Sequence, residues 1–220
     1  MNSKDAQEEI SFIYLHGFAS SPKSTKAQEI SDRFAKIQIS LKIPDLNAGD
    51  FSHLTITRQL NQVQREFPDP SVPVTLIGSS LGGLTSAHLG EKHLQVQKLI
   101  LLAPAFGFLS YWLPKLGEEA VKNWQKEKYY PVYHYGEQRS LPLNYNFITD
   151  ANQYQEQHLQ RPIPTLILHG KQDEVIPISA SRNFAQLRPW VELIELDSDH
   201  SLTNVTADIW QAICSFCQLL

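Results

Sequence analysis

Three side chains far apart in the chain have the types and settings that nucleophilic acyl transfer requires. Ser80 lies in the run Gly78-Ser79-Ser80-Leu81-Gly82, followed by Gly83. This Gly-x-Ser-x-Gly pattern directly follows an apolar run over residues 72–77 and directly precedes helical periodicity. Such a setting is that of a nucleophile elbow, a sharp strand-to-helix turn whose neighbours come too close for side chains, hence the flanking glycines. The helix N-terminus behind Ser80 favours developing negative charge. Phosphate binding fits less well, because Gly-Lys-Ser/Thr is absent and the glycine spacing is not Gly-x-Gly-x-x-Gly.

A serine hydroxyl attacks only if a base takes its proton, and the base needs an acid to hold its tautomer. Leu166-Ile167-Leu168-His169-Gly170-Lys171-Gln172-Asp173 reads as a strand, a glycine turn and then a carboxylate, so Asp173 is the expected acid and Glu174 the alternative. One strand later, Asp197-Ser198-Asp199-His200 supplies the expected base, His200, the one histidine C-terminal to Asp173. The order nucleophile, acid, base falls on successive strand ends. The oxyanion needs two donors: the backbone N–H after the nucleophile, Leu81, and one from the turn after the first strand, where Tyr14-Leu15-His16-Gly17-Phe18 nominates the N–H of Phe18.

The remaining polar residues point elsewhere. His53, His88, His93, His134 and His158 lack strand-end context, and no His-Glu-x-x-His occurs, so no metal is expected. His169 ends a strand near the site, where packing is its expected role. Cys214 and Cys217 fall inside an apolar-periodic helix and read as core rather than as a redox pair. With 19 Lys+Arg against 23 Asp+Glu and no basic stripe, nucleic acid is not an expected partner. Residues 1–9 are polar and acidic, unlike a signal peptide, and the longest apolar stretch, residues 99–113, is broken by Pro104 and Gly107 and is shorter than a membrane span. A cytoplasmic location is the expectation.

To bring these residues together the chain must form a sheet. At 220 residues and 42% apolar content it suits one domain with an insertion. Apolar, β-rich runs over residues 10–15, 37–43, 72–77, 96–103, 165–168 and 191–196 alternate with helical patterns over 26–35, 56–67, 84–93, 179–187 and 206–219. Continuous Val/Ile/Leu runs between helices predict an α/β fold with a mainly parallel central sheet covered on both faces and right-handed crossovers. Residues 104–160 break the rhythm: they show no clear strand yet hold 12 of the chain's aromatic residues, Phe106, Phe108, Tyr111, Trp112, Trp124, Tyr129, Tyr130, Tyr133, Tyr135, Tyr145, Phe147 and Tyr154. A structureless loop of that length is improbable in a compact domain, so an inserted helical lid over the strand ends is expected, within a single domain spanning 1–220. Its rings either line an acyl pocket or hold the insertion onto the sheet.

His16-Gly17-Phe18, the elbow at Ser80, Gly170-x-x-Asp173 and His200, in that order, resemble the α/β-hydrolase superfamily over nearly the whole chain. Residues 14–23, Tyr14-Leu15-His16-Gly17-Phe18-Ala19-Ser20-Ser21-Pro22-Lys23, together with Gly-Ser-Ser-Leu-Gly-Gly, are similar to small bacterial YqiA-type esterases. The resemblance implies hydrolysis of a small-molecule acyl ester or thioester through an acyl-serine, with no cofactor. Two departures stand out: no strand pair precedes Ile10, so a reduced sheet is expected, and Asp199 stands where many relatives have glycine, placing a charge beside the base. Alternatives are an acyl-CoA thioesterase using Lys23, Lys26 or Lys115 at the phosphates, a lyase on the same triad similar to a menaquinone-pathway enzyme, or a binding module without catalysis.

Overall fold

The computed structural model describes residues 10–219; the polar segment 1–9 lies outside them. Six strands form one sheet in which every pairing is parallel: β1 (Ser11–Leu15), β2 (Leu41–Lys42), β3 (Val74–Ser79), β4 (Val96–Leu102) and two later strands, Thr165–Gly170 and Val191–Leu196. A separate antiparallel hairpin, β5 (Tyr129–His134) with β6 (Arg139–Asn144), precedes the last two, which are therefore β7 and β8. The order across the sheet is β2-β1-β3-β4-β7-β8.

Alternation along each buried strand sends successive side chains to opposite faces. Ile13, Leu15, Leu76, Leu99, Leu101 and Ile167 face one side, under α2 (Ile56–Gln64), α3 (Leu81–Lys92) and α7 (Ile178–Gln186). Phe12, Tyr14, Ile77, Ile100, Leu102, Leu166 and Leu168 face the other, under α1 (Thr25–Lys36) and α8 (Thr206–Cys217). Helix α1 fits that layer because Ala27, Ile30 and Phe34 make one buried stripe, and α8 because Ile209, Ile213 and Cys217 do. Cys214 and Cys217 are free and buried, as core residues should be.

Three boundaries differ from the sequence expectation. The alternating run 37–43 pairs over two residues only, because Gln38 adopts φ +60° and Pro44 closes the strand's other end. Helix α3 begins at Leu81 and so contains Gly82 and Gly83, which read as turn residues by composition. The largest correction concerns 104–160, for which the expectation is helical. It contains α4 (Phe108–Leu116), α5 (Glu118–Glu127) and a short α6 (Asn146–Ala151), but also the β5–β6 hairpin. Each of its strands carries a central proline, and Pro131 faces Pro142 across the pair. Proline removes a ladder donor, which hid the strands; the alternation of Tyr130, Val132 and His134 inward with Tyr129, Pro131 and Tyr133 outward is the signal that reveals them. No helix among the described residues is long and apolar enough to cross a membrane.

Candidate active site

In a parallel sheet all C-terminal strand ends lie along one edge, and there the loops after β1, β3, β7 and β8 converge. At the end of β3 the chain turns into α3 through Ser80, which takes φ 53°, ψ −117°. A non-glycine residue at positive φ is strained and persists only when its surroundings enforce it. They do: the Ser80 N–H donates to Leu102 O at 2.9 Å, and its carbonyl accepts from Gly83 N and Ala105 N at 2.9 and 3.0 Å. Close approach dictates the glycines. A Cβ on Gly78 would stand 2.3 Å from Gly82 O, and one on Gly82 2.1 Å from Leu15 O.

The structure brings the three sequence-predicted residues into contact. His200 Nε2 lies 3.0 Å from Ser80 Oγ, and His200 Nδ1 lies 2.6 Å from Asp173 Oδ2. A carboxylate only accepts, so Nδ1 carries the proton and Nε2 is left to accept the Ser80 hydroxyl. The Asp173 side chain is fully buried. Its Oδ1 accepts the N–H groups of Val175 and Ile176, each at 2.8 Å. Burial alone would raise its carboxyl, but His169, His200 and the Ile176 N–H outweigh it and hold the group well below the usual carboxylate range. Glu174, the alternative acid, is exposed at the cavity rim and bonds neither His200 nor Ser80.

The acid and base loops are tied to each other. Lys171 N donates to Leu196 O at 2.8 Å and Gln172 N to Ser198 O at 3.0 Å. A Cβ on Gly170 would meet Ser198 O at 2.3 Å. Asp199, whose charge the sequence places beside the base, turns its carboxylate to Ser201, accepting from its N–H at 2.9 Å and its hydroxyl at 2.5 Å. Those bonds hold its carboxyl below the usual range despite some burial.

Phe18 and Leu81 both line the cavity in front of Ser80, and neither backbone N–H has an acceptor among the described residues. The loop carrying Phe18 sits against the elbow, since a Cβ on Gly17 would be 3.4 Å from Ser80 Cβ. Buried His16 orients it. Its Nε2 accepts Leu46 N–H at 2.9 Å, so the proton is on Nδ1, which points to Gly17 O at 2.9 Å. In a trans peptide the N–H opposes the C=O, so this bond fixes the direction of the Phe18 N–H.

The cavity is about 960 Å³, mostly apolar, and walled by Phe18, Phe108, Trp112, Val132, Tyr133 and Ile176 among others. The insertion grips the loop carrying Phe18 through rings: Phe147 stacks on Phe18 with centroids 5.2 Å apart, and Trp112 meets Phe18 edge-on at 5.5 Å. Tyr135 N also donates to Ala19 O at 2.8 Å. His53, His88, His93, His134 and His158 stay apart from this site, and no group of three His, Cys, Asp or Glu among the described residues is arranged for a metal. Of the lysines considered for phosphates, Lys26 Nζ donates to Ser79 Oγ at 3.1 Å and Lys115 Nζ to the Glu174 carbonyl. Sequence reasoning did not foresee the Lys26 contact or that of His169 with Asp173; the first follows from α1 packing on the face that carries Tyr14, the second from His169 sitting four residues before the acid.

The chain belongs to the uncharacterised protein family UPF0227, whose model matches residues 11–218, and its fold is that of the α/β hydrolases. No curated protein sequence matches it. Alpha/beta hydrolase domain-containing protein 10 from mouse is 24% identical, with a TM-score of 0.77 over 95% of this chain and 88% of that one. Est1E from Butyrivibrio proteoclasticus, with ferulic acid bound, is 19% identical, with a TM-score of 0.78 over 98% and 91%. The alpha/beta hydrolase GrgF from Penicillium sp. sh18 is 14% identical, with a TM-score of 0.71 over 97% and 90%. These likenesses are of fold.

Proposed function

We propose that the protein is a serine hydrolase of carboxylic esters. The observation that carries this reading is the continuous chain Ser80 Oγ, His200, Asp173, at 3.0 and 2.6 Å, opening onto an apolar cavity. Ser80 attacks the acyl carbonyl while His200 Nε2 takes its proton. The carbonyl π electrons move onto oxygen, which the N–H groups of Phe18 and Leu81 receive. Collapse of the tetrahedral intermediate breaks the C–O bond, His200 returns the proton to the departing alcohol, and an acyl-serine remains. Water, deprotonated by His200, repeats the sequence and releases the acid. Asp173 holds the ring and stabilises its charged form. Residues 104–160 serve as the cover of the acyl pocket within one domain.

A coenzyme A thioester is less well supported, since Lys26 is engaged with Ser79 inside the protein, Lys115 is engaged by the Glu174 carbonyl, and Glu174 and Asp199 stand at the cavity mouth. The test is a panel of acetyl, butyryl, octanoyl and hydroxycinnamoyl esters beside matched acyl-CoA thioesters, run on wild type and Ser80→Ala. The hydroxycinnamoyl member is included because Est1E holds ferulic acid. Turnover of esters by wild type and a loss of about 10³-fold or more in Ser80→Ala are expected. Undiminished turnover in the variant, or no turnover of any ester by wild type, refutes the reading.

A further inference from the structure

The mechanism above leaves unused a buried titratable side chain that stands against the triad. His169 is the penultimate residue of β7 and fully buried. Its Nδ1 lies 2.7 Å from Ser181 Oγ on α7, and its Nε2 lies 3.0 Å from Ile176 O and 3.0 Å from Asp173 Oδ2. A carbonyl and a carboxylate can only accept, so Nε2 carries the proton. Nδ1 of the neutral ring is then an acceptor, and the Ser181 hydroxyl donates to it. Both sides of the ring are committed. It has one tautomer and one orientation: its N–H is directed to the Ile176 carbonyl, and the same ring edge stands 3.0 Å from the carboxylate oxygen that His200 uses.

We infer that His169 is a positioning residue of the triad: its electropositive Nε2–H edge, locked in place by Ser181 and Ile176, stands against Asp173 Oδ2, offsets part of its charge and thereby tunes the pull of Asp173 on His200. The inference rests on the serine-hydrolase reading. Asp173 meets three hydrogen-bond donors, Val175 N and Ile176 N on Oδ1 and His200 Nδ1 on Oδ2, and the Nε2–H edge of His169 stands 3.0 Å from Oδ2 as a fourth electropositive neighbour. Each donor satisfies part of the carboxylate's charge and weakens its pull on the imidazolium of His200. A base must be neutral to accept the serine proton, so restraining its pKa keeps it competent at neutral pH. Ser181 is fully buried, which makes its hydroxyl an expensive group to place there without a partner; the His169 ring supplies one.

Other charged groups stand around the triad. Asp199 adjoins it on its own loop, Lys26 on α1 attracts Asp173 and Asp199, Glu174 and Lys115 stand at the cavity rim, and Glu195 lies on β8 beside His169. All of these are retained in the variants below, so a difference between profiles isolates the His169 contact.

The experiment compares kcat/KM for a butyryl ester from pH 5 to 9 in wild type, His169→Met, His169→Gln and Ser181→Ala, with circular dichroism to establish folding. Methionine fills a similar volume without a donor; glutamine keeps an N–H donor at the reach of Nε2. His169→Met should move the acid limb upward by about half to one pH unit, a loss of about 3- to 10-fold below the limb, while His169→Gln keeps the wild-type limb. Ser181→Ala frees the ring and should move the limb the same way by less; it carries the test if His169→Met does not fold. An unmoved limb in folded His169→Met, a Gln variant shifted as far as Met, or an unmoved limb in Ser181→Ala when it must carry the test overturns the inference. Labelling of wild-type Ser80 with a fluorophosphonate separates the two readings. Without labelling the serine-hydrolase proposal fails, whereas labelled Ser80 with an unmoved limb defeats the His169 role alone.

Discussion

Replacing Lys26 by methionine should make the protein more stable at pH 7, an advantage that vanishes by about pH 10. Lys26 sits near the start of α1 with its ammonium on Ser79 Oγ at 3.1 Å, one residue before the strained Ser80. Among the described residues it forms no ion pair, and burial pulls its pKa from 10.5 down to about 8 against the attraction of Asp173 and Asp199. The folded value lies below the unfolded one, so between those pH values the unfolded chain binds more protons and stability attributable to Lys26 rises with pH. The difference of 10.5 and 8 is 2.5 units, worth about 3.4 kcal/mol at 1.36 kcal/mol per unit. Partial exposure and screening reduce this to about 2 kcal/mol. That is the cost of holding the charge at neutral pH. Methionine keeps the apolar stem and loses the bond to Ser79, worth about 1 kcal/mol. The net expectation for Lys26→Met is about 1 kcal/mol of added stability at pH 7, falling to about zero at pH 10, where Lys26 is neutral in the folded protein but still mostly protonated in the unfolded chain. Urea denaturation of both proteins at pH 7, 8, 9 and 10 reads the difference directly, because the other lysines and tyrosines titrate equally in each. A difference that does not change with pH, or that grows in favour of methionine as pH rises, refutes the reasoning.

Three further outcomes follow from the geometry. Gly82→Ala puts a Cβ 2.1 Å from Leu15 O and 2.6 Å from His16 O, backbone on both counts, so it should cost more than about 4 kcal/mol and yield little folded protein; a soluble variant with a wild-type melting temperature would contradict the packing described. His88 is buried against Tyr154, its Nε2 has no partner among the described residues, and burial lowers its pKa from 6.5 to about 4. The unfolded chain therefore takes up this proton first, and stability should fall by up to about 3 kcal/mol on acidification from pH 6.5 to 4; His88→Phe should flatten that part of the stability profile, and an unchanged slope would count against it. Trp112 walls the cavity and supports Phe18, so Trp112→Ala should lower kcat/KM for an octanoyl ester by about tenfold and for an acetyl ester by much less, whereas equal losses on both would show that the ring acts only through the fold.

The sheet and the residues at its edge were legible because each rests on local pattern. Continuous apolar runs identified β1, β3, β4, β7 and β8, and a glycine-flanked serine between a strand and a helix is seldom anything but an elbow. What stayed hidden depends on tertiary contact. The β5–β6 hairpin is exposed along one face, carries a proline in the middle of each strand and is stabilised by the rings and loop it lies against, so its own propensity argues against it. Asp199 looked able to act on His200 because sequence gives adjacency; the backbone turns its carboxylate to Ser201. His169 and Lys26 read as packing and solvation, since neither contact with the site has a sequence signature.

Topology explains why the insertion belongs to this site. Parallel strands share one C-terminal edge, and β4 lies between β3, which carries the elbow, and β7, which carries the acid. A segment inserted after β4 therefore leaves the sheet beside Ser80 and must return to enter β7 from the opposite end. Its first residues already touch the elbow: Ala105 N donates to Ser80 O at 3.0 Å, and Pro104 packs on Gly83. An insertion after β8 or β2 would start at or beyond a flank of the edge. The concentration of aromatic rings between residues 104 and 160 is then understandable as a consequence of position. A segment that exits over an apolar cavity has to cover it, and the rings that do so also reach Phe18, so the walls of the pocket and the placement of the predicted oxyanion donor depend on the same contacts.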